Sequence, residues 1–246
     1  MTLATLSAAE RACAHAGVTV LEMRTPAETE RGAALLREVW RSSEAPVPAN
    51  LLRTVQHTGG YVFGAYDDGG ALLGVAMGLL STEGLHSHIT GVVPAGQRRG
   101  LGFALKQHQR WWALDRGLST ITWTCDPLVR RNLAFNLHAL GADIHAYLPD
   151  HYGAMTDGVN TGDESDRFEL HWHLMSERAL QAAESRLPWV AGERTVPLPE
   201  DIEALRLKDP VEARAWRHRV RDALVPALAD GAAVVGLDAE GALVLS

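Results

Sequence analysis

Two glycines, Gly100 and Gly102, follow Gln97, Arg98 and Arg99 just after an apolar run through Val92 and Val93 gives out at Pro94. A strand ending there and a helix starting near Gly100 would bring free backbone N–H groups and the positive end of a helix dipole to one point. Glycine lets the backbone approach a bulky anion, and the arginines add fixed charge. The spacing therefore predicts a pyrophosphate site spanning Gln97, Arg98, Arg99, Gly100, Leu101 and Gly102. A Walker A loop would end in Gly-Lys-Ser/Thr, which is absent, and a dinucleotide fingerprint would place a third glycine where Leu105 stands. The alternative reading is a plain strand-to-helix turn with surface arginines.

Upstream of the loop, His86 and His88 lie two apart on a strand-like run, which would put both on one face. A free imidazole titrates near ~6.5 and accepts a proton at neutral pH. His171 and His173 form a second His-x-His pair, and such pairs are also a metal signature.

The elements that must position these residues are legible from periodicity and punctuation. Leu3 to His15 predicts a helix, Val18 to Met23 a strand, and Pro26 onward a helix with Ala34, Leu35, Val39 and Trp40 at helical spacing. A brief helix is expected around Leu51 to Val55. Tyr61 to Tyr66 and Ala71 to Leu80 flank Asp67-Asp68-Gly69-Gly70 as a hairpin, and His86 to Val93 is a third strand. Beyond the loop come a helix over Leu101 to Arg116, a strand over Leu118 to Thr124 and a helix from Val129 to Leu140 closed by Gly141. Asp143 to Leu148 and Arg167 to Leu174 predict two more strands around a polar loop, His151 to Asp166. From Met175 the texture changes to a helical piece, a Pro-punctuated link, a long helix near Val211 to Leu228 and a terminal apolar hairpin. The expected division is 1–174 for the main domain and 175–246 for an extension packed on it or on a partner subunit.

Composition limits the partners. At 246 residues with 46% hydrophobic and 22% charged residues, the chain buries a sizeable core. A net charge of −7 excludes a general basic face for nucleic acid or anionic membrane, though not a local basic pocket. Two separated cysteines, Cys13 and Cys125, give no disulfide framework and suit a reducing, cytoplasmic compartment. No uncharged apolar stretch reaches the ~18 residues a membrane helix needs.

The loop resembles the signature of the GNAT N-acetyltransferase superfamily, a Val-x-Pro strand end followed by Gln/Arg-x-x-Gly-x-Gly/Ala, at Val92, Pro94, Gln97, Gly100 and Gly102. The order of elements over residues 18–174 resembles the same fold. Further runs are similar to a less-studied branch of predicted small-molecule acyltransferases. They are Leu85-His86-Ser87-His88, Lys106-Gln107-His108-Gln109-Arg110, Trp123 to Leu128, Arg131 to Leu137, Tyr152-Gly153 and Ser165-Asp166-Arg167.

The resemblance implies a mixed α/β fold, with a central mixed splayed sheet flanked by helices and a C-terminal helix and hairpin extension. It implies acetyl-CoA or another acyl-CoA as co-substrate, no metal, and a small-molecule amine as acceptor. A backbone N–H at Val92 or Val93 would meet the oxyanion where the family's strand carries a bulge, and Asn132 would contact the pantetheine arm. The family commonly places a carboxylate base on the strand before the loop. Here His86 and His88 stand there, and either serves directly or through water. Leu137 and His138 stand near the family's acidic tyrosine, which leaves Tyr147 or Tyr152 to protonate the thiolate. Asp166 and Arg167 are the expected acceptor contacts, for an ammonium and a carboxylate, because the branch is thought to include enzymes that acylate amino acids, sometimes with succinyl. In such a sheet the two His-x-His pairs would lie roughly 10 Å apart, too far for one ion. A catalytically inactive acyl-CoA sensor and a histidine-ligated metalloprotein remain as rival readings, and a homodimer is compatible with the chain.

Overall fold

The computed structural model describes residues 2–96, 99–155 and 163–246. The chain gathers into two compact units, residues 1–122 and 123–246.

The first unit opens with α1 (Thr2–Ala16) and β1 (Thr19–Glu22), followed by α2 (Pro26–Trp40). Thr25 starts α2 through a capping box. Its hydroxyl accepts from Glu28 N–H at 3.3 Å, and Glu28 Oε2 accepts from Thr25 N–H at 2.7 Å, with Pro26 preset for the first turn. After α3 (Ala49–His57), the strands β2 (Tyr61–Tyr66), β3 (Leu72–Ser81) and β4 (Gly84–Val92) form an antiparallel meander. Then come α4 (Leu101–Asp115) and β5 (Thr120–Cys125), and the strand order through β5 is β1-β2-β3-β4-β5.

Strand alternation divides the apolar residues between two faces. Val62, Val75, Met77 and Ile89 belong to a buried cluster with Leu35, Leu36, Leu52 and Val55 from the α2–α3 side. Gly91 lets α2 come close, since a Cβ there would lie 2.8 Å from the Trp40 ring. Tyr61 turns the other way. Its ring meets Trp112 of α4 edge-on at 5.4 Å, and its hydroxyl pairs with His108 Nδ1 at 2.9 Å. Burial pushes the His108 pKa down to about 4, so this ring is neutral at pH 7.

The second unit contains the end of β5, then α5 (Arg130–Ala134), which widens into a π turn over Phe135–Ala139. β6 (Asp143–Leu148) pairs antiparallel with β7 (Arg167–His173), in the order β5-β7-β6. Trp123 meets the fully buried Trp172 edge-on at 6.1 Å. The remainder is α6 (Glu177–Glu184), β8 (Thr195–Val196), α7 (Ile202–Lys208), α8 (Pro210–Ala229), β9 (Val234–Leu237) and β10 (Leu243–Leu245), the last strands ordered β8-β10-β9. α7 is absent from the sequence expectation, although Asp201 caps it by accepting from Ala204 N–H at 3.0 Å. Among the described residues no helix is long and apolar enough to cross a membrane.

Buried ion pairs hold the tail within this unit. Arg217 of α8 is fully buried and donates through Nη2 to Asp163 at 2.8 Å and Asp126 at 3.1 Å, while Arg206 of α7 reaches the same two carboxylates. Burial alone would raise the Asp126 pKa, but Arg217 and Arg206 outweigh it and hold the carboxyl below its ordinary value. Removing Arg217 leaves two carboxylates without their main counter-charge in a dry site. Arg217→Met is expected to lower stability by ~3–5 kcal/mol in urea unfolding at pH 7. The loss should shrink progressively as the pH falls from ~4 through the lower pKa that Asp126 has in the fold, where its protonation ends the pair's contribution.

Candidate active site

β4 is not a regular strand where it matters. Its register with β3 runs Gly74↔Val92 through Met77↔Ile89, then resumes at Leu79↔His86. One extra residue therefore lies in β4 between His86 and Ile89, so Ser87 and His88 form a bulge opposite Gly78. The family resemblance led us to expect the irregularity at Val92 or Val93; instead the pairing there is regular. Val93 N–H is bonded to Leu73 O at 3.0 Å. In an antiparallel ladder the neighbouring residue points its N–H to the other side, so Val92 directs its amide away from β3. On that side the parallel pairing of β4 with β5 is confined to Leu85↔Ile121 and His86↔Thr122.

Past Val93 the chain makes a tight turn over Pro94–Gly96, closed by Gly96 N–H to Val93 O at 2.8 Å. Gly100 precedes α4 with φ of 83°, a left-handed conformation that any side chain would strain. Ala104 N–H is bonded to Gly100 O at 2.9 Å, which makes Leu101, Gly102 and Phe103 the first-turn residues whose amides precede the helical ladder. Leu101 buries its side chain and so anchors this turn. Arg99 is exposed, and its Nη2 donates to Ala16 O at 3.4 Å. Gln97 and Arg98 lie outside the described residues.

The two histidine rings of β4 have centroids 6.3 Å apart. His86 Nδ1 lies 3.2 Å from Thr122 Oγ1, which orients that ring. His88 is exposed, yet the protein around it withdraws enough water to hold its pKa below the ordinary histidine value. The neutral ring, able to accept a proton, is thus its normal state at pH 7. Beneath the bulge, the buried Lys106 of α4 donates to Ser87 Oγ at 2.8 Å and fixes the strand from the core side. The run Lys106 to Arg110 carries part of the family resemblance, but its sequence gives no sign that Lys106 turns inward to Ser87.

In the second unit, Asn132 is exposed in the first turn of α5. His138 is spent on structure. Its Nε2 accepts from Leu237 N–H at 3.0 Å, so Nδ1 carries the proton and donates to Pro188 O at 2.9 Å. The two candidate tyrosines differ sharply. Tyr147 donates its hydroxyl to Asp166, and burial followed by that carboxylate drives its pKa far up. Tyr152 is exposed, with its hydroxyl 2.8 Å from Thr124 Oγ1 near the end of β5.

Asp166 is fully buried. Its carboxylate accepts from Asp150 N–H at 3.0 Å, Tyr147 and Arg221 of α8. An ammonium placed there would compete with Arg221. Arg167 is also buried, donating through Nη1 to Asp166 O at 2.8 Å, with Nη2 against Met155 Sδ and the guanidinium 5.4 Å from the Tyr152 ring. Both residues thus brace the loop that carries Tyr152. Thr124 and Asp126 belong to a run that carries the resemblance, but their contacts, like those of Arg217, could not be read from sequence, since the partners lie 28 to 91 residues away.

With this geometry in hand, the chain matches the Acetyltransferase (GNAT) family over residues 7–141. No curated protein matches it in sequence. Among solved structures it is similar to the ribosomal-protein-S18-alanine N-acetyltransferase from Escherichia coli, at 18% identity and a TM-score of 0.52 over 65% of this chain and 97% of that one. It is also similar to a GNAT superfamily phosphinothricin acetyltransferase from Sinorhizobium meliloti in complex with AcCoA, at 15% identity and TM-score 0.51 over 63% and 87% of the two chains. An N-acetyltransferase from Staphylococcus aureus Mu50 gives 13% identity and TM-score 0.52 over 64% and 98%. At these identities the structural likeness speaks for the fold, while the family match spans more than half of the sequence, and the chain belongs to the GNAT acetyltransferase family.

Proposed function

We propose that the chain transfers an acyl group, acetyl or succinyl, from acyl-CoA to the amine of a small molecule within a ternary complex. The observation that carries this reading is the left-handed Gly100 ahead of α4, and the first amides of that helix, at Leu101, Gly102 and Phe103, are the donors an anion would take. Acetyl-CoA or another acyl-CoA supplies that anion as its pyrophosphate. Gln97, Arg98 and Arg99 add donors and charge, and Asn132 reaches the pantetheine arm.

In the reaction the amine nitrogen attacks the thioester carbon, a C–N bond forms and the C–S bond breaks. His88 takes the amine proton directly or through water, with His86 as its neighbour on the strand. Val92 N–H meets the oxyanion, a role supported by its direction away from β3 and by the prior engagement of Val93. Tyr152 returns a proton to the leaving thiolate, a role favoured by its exposed hydroxyl over the committed hydroxyl of Tyr147. The acceptor is proposed to be an amino acid, with Arg167 on its carboxylate and Asp166 toward its ammonium, and each must loosen its present contacts to serve. Residues 1–174 would carry the chemistry and 175–246 would brace it, in a cytoplasmic enzyme able to form a homodimer. An inactive acyl-CoA sensor is the second reading, favoured by His138 standing as a strut near the family's tyrosine position.

A panel of acetyl-CoA and succinyl-CoA against amino acids and other amines, read by thiol release and product mass, tests the function. Turnover with an amine supports it; saturable CoA binding with no acylated amine in any pairing would favour the sensor. His88→Ala is expected to lower kcat by ~10²-fold or more with CoA affinity retained. Because the His88 pKa is lowered, the acidic limb of the wild-type kcat/KM profile should fall below pH ~6.5. That limb should vanish in the variant. Full activity in His88→Ala would move the base to His86 or to solvent. Gly100→Glu sets a carboxylate at the phosphate position and strains the turn. Calorimetry should find CoA binding abolished in a folded variant, and unchanged affinity would reject the site.

A further inference from the structure

β6 carries its own irregularity, away from the proposed chemistry. Its register with β7 runs Asp143↔His171 and Ile144↔Leu170, then steps to Ala146↔Glu169. His145 is the extra residue. Asp143 stands opposite His171, so His145, two residues on, falls on the face of His171, and the bulge leaves it there as the residue without a partner of its own in the ladder. Glu169 and His171, two apart on β7, already share a face. The His145 and His171 rings lie 4.0 Å apart and within 12° of parallel, and His171 Nε2 is 3.9 Å from Glu169 Oε1. One ligand atom from each of the three lies within 4.8 Å of the others.

We propose that His145, Glu169 and His171 form a binding site for a divalent transition-metal ion of the zinc class. Two imidazoles and one carboxylate are a donor set that selects such ions over calcium or magnesium. Bonds of ~2.0–2.2 Å require ligand atoms about 3.3 Å apart around a tetrahedral ion. The present spacing closes to that value by rotating His145, which is exposed, and by a small turn of the half-buried Glu169 toward His171, from which it now stands 3.9 Å. Three protein ligands leave a fourth position for water or a small ligand. Asp143 and His173 complete the surroundings. Asp143, opposite His171, is held by Arg178 at 3.4 Å, and the His173 ring is 6.1 Å from that of His171. The ion would clamp β6 to β7 and takes no part in the acyl transfer proposed above.

The sequence pairing of His171 with His173 anticipated a different ligand set. Residues two apart on one strand are visible in a sequence, whereas the cross-strand register that sets His145 beside His171 is not. The test is equilibrium dialysis of the chelator-treated full chain against Zn²⁺, with Co²⁺ absorption in the visible region reporting nitrogen ligation. The expected result is one ion per chain bound at about 10 µM or tighter. His145→Ala, an exposed change that should not disturb folding, should weaken that ion at least ~10-fold, as should Glu169→Gln. His173→Ala should leave it in place, and the melting temperature should rise with Zn²⁺ in the wild type but not in His145→Ala. Binding weaker than that limit, or binding unaffected by His145→Ala, would overturn the site and leave the two rings as a simple stacked pair.

Discussion

Helix α4 is held at three levels, and its held position gives the glycine turn ahead of it a direction. At its start, Gly100 adopts a conformation that only glycine takes without strain. In its middle, Lys106 bonds Ser87 within the bulge of β4, and His108 bonds Tyr61 of β2. Toward its end, Trp112 packs edge-on against the same tyrosine. A helix fixed so firmly to the sheet cannot swing its first turn, so the amides at Leu101–Phe103 are organised before any ligand arrives. Preorganised dipoles are worth more than mobile ones because no reorganisation opposes binding.

The second unit achieves rigidity by charge instead of by apolar packing alone. Arg206, Arg217 and Arg221 come from the two tail helices and converge on Asp126, Asp163, Glu164 and Asp166. These contacts immobilise the residue just past β5, the end of the polar loop and the start of β7. His138 adds a neutral strut to β9. The tail is thus woven into the elements that carry Tyr152 and Asn132. Buried ion pairs of this kind favour a single arrangement more than they add net stability, since desolvation offsets much of their attraction.

What could be read from the sequence follows from what periodicity encodes. The meander, the glycine loop and the long tail helix are all visible as alternation or helical spacing interrupted by Gly and Pro. The two bulges are not. Ser87–His88 and His145 each insert one residue into a ladder, and a single strand's pattern carries no mark of what its partner does. The same blindness hid the contact of Lys106 with Ser87 and that of Arg221 with Asp166. Asp166 and Arg167 were prominent in the sequence as a charged pair, but only the structure places them at the base of the Tyr152 loop. α7 was missed although Asp201 gives a fair capping signal, because a seven-residue helix is too short for its spacing to stand out.

A structure of the protein crystallised with acetyl-CoA tests the central claim most directly. The expected result is a pyrophosphate within hydrogen-bonding distance of the amides of Leu101, Gly102 and Phe103, with the thioester carbonyl near Val92 N–H. A cofactor bound elsewhere, or an empty loop at saturating acetyl-CoA, would contradict it.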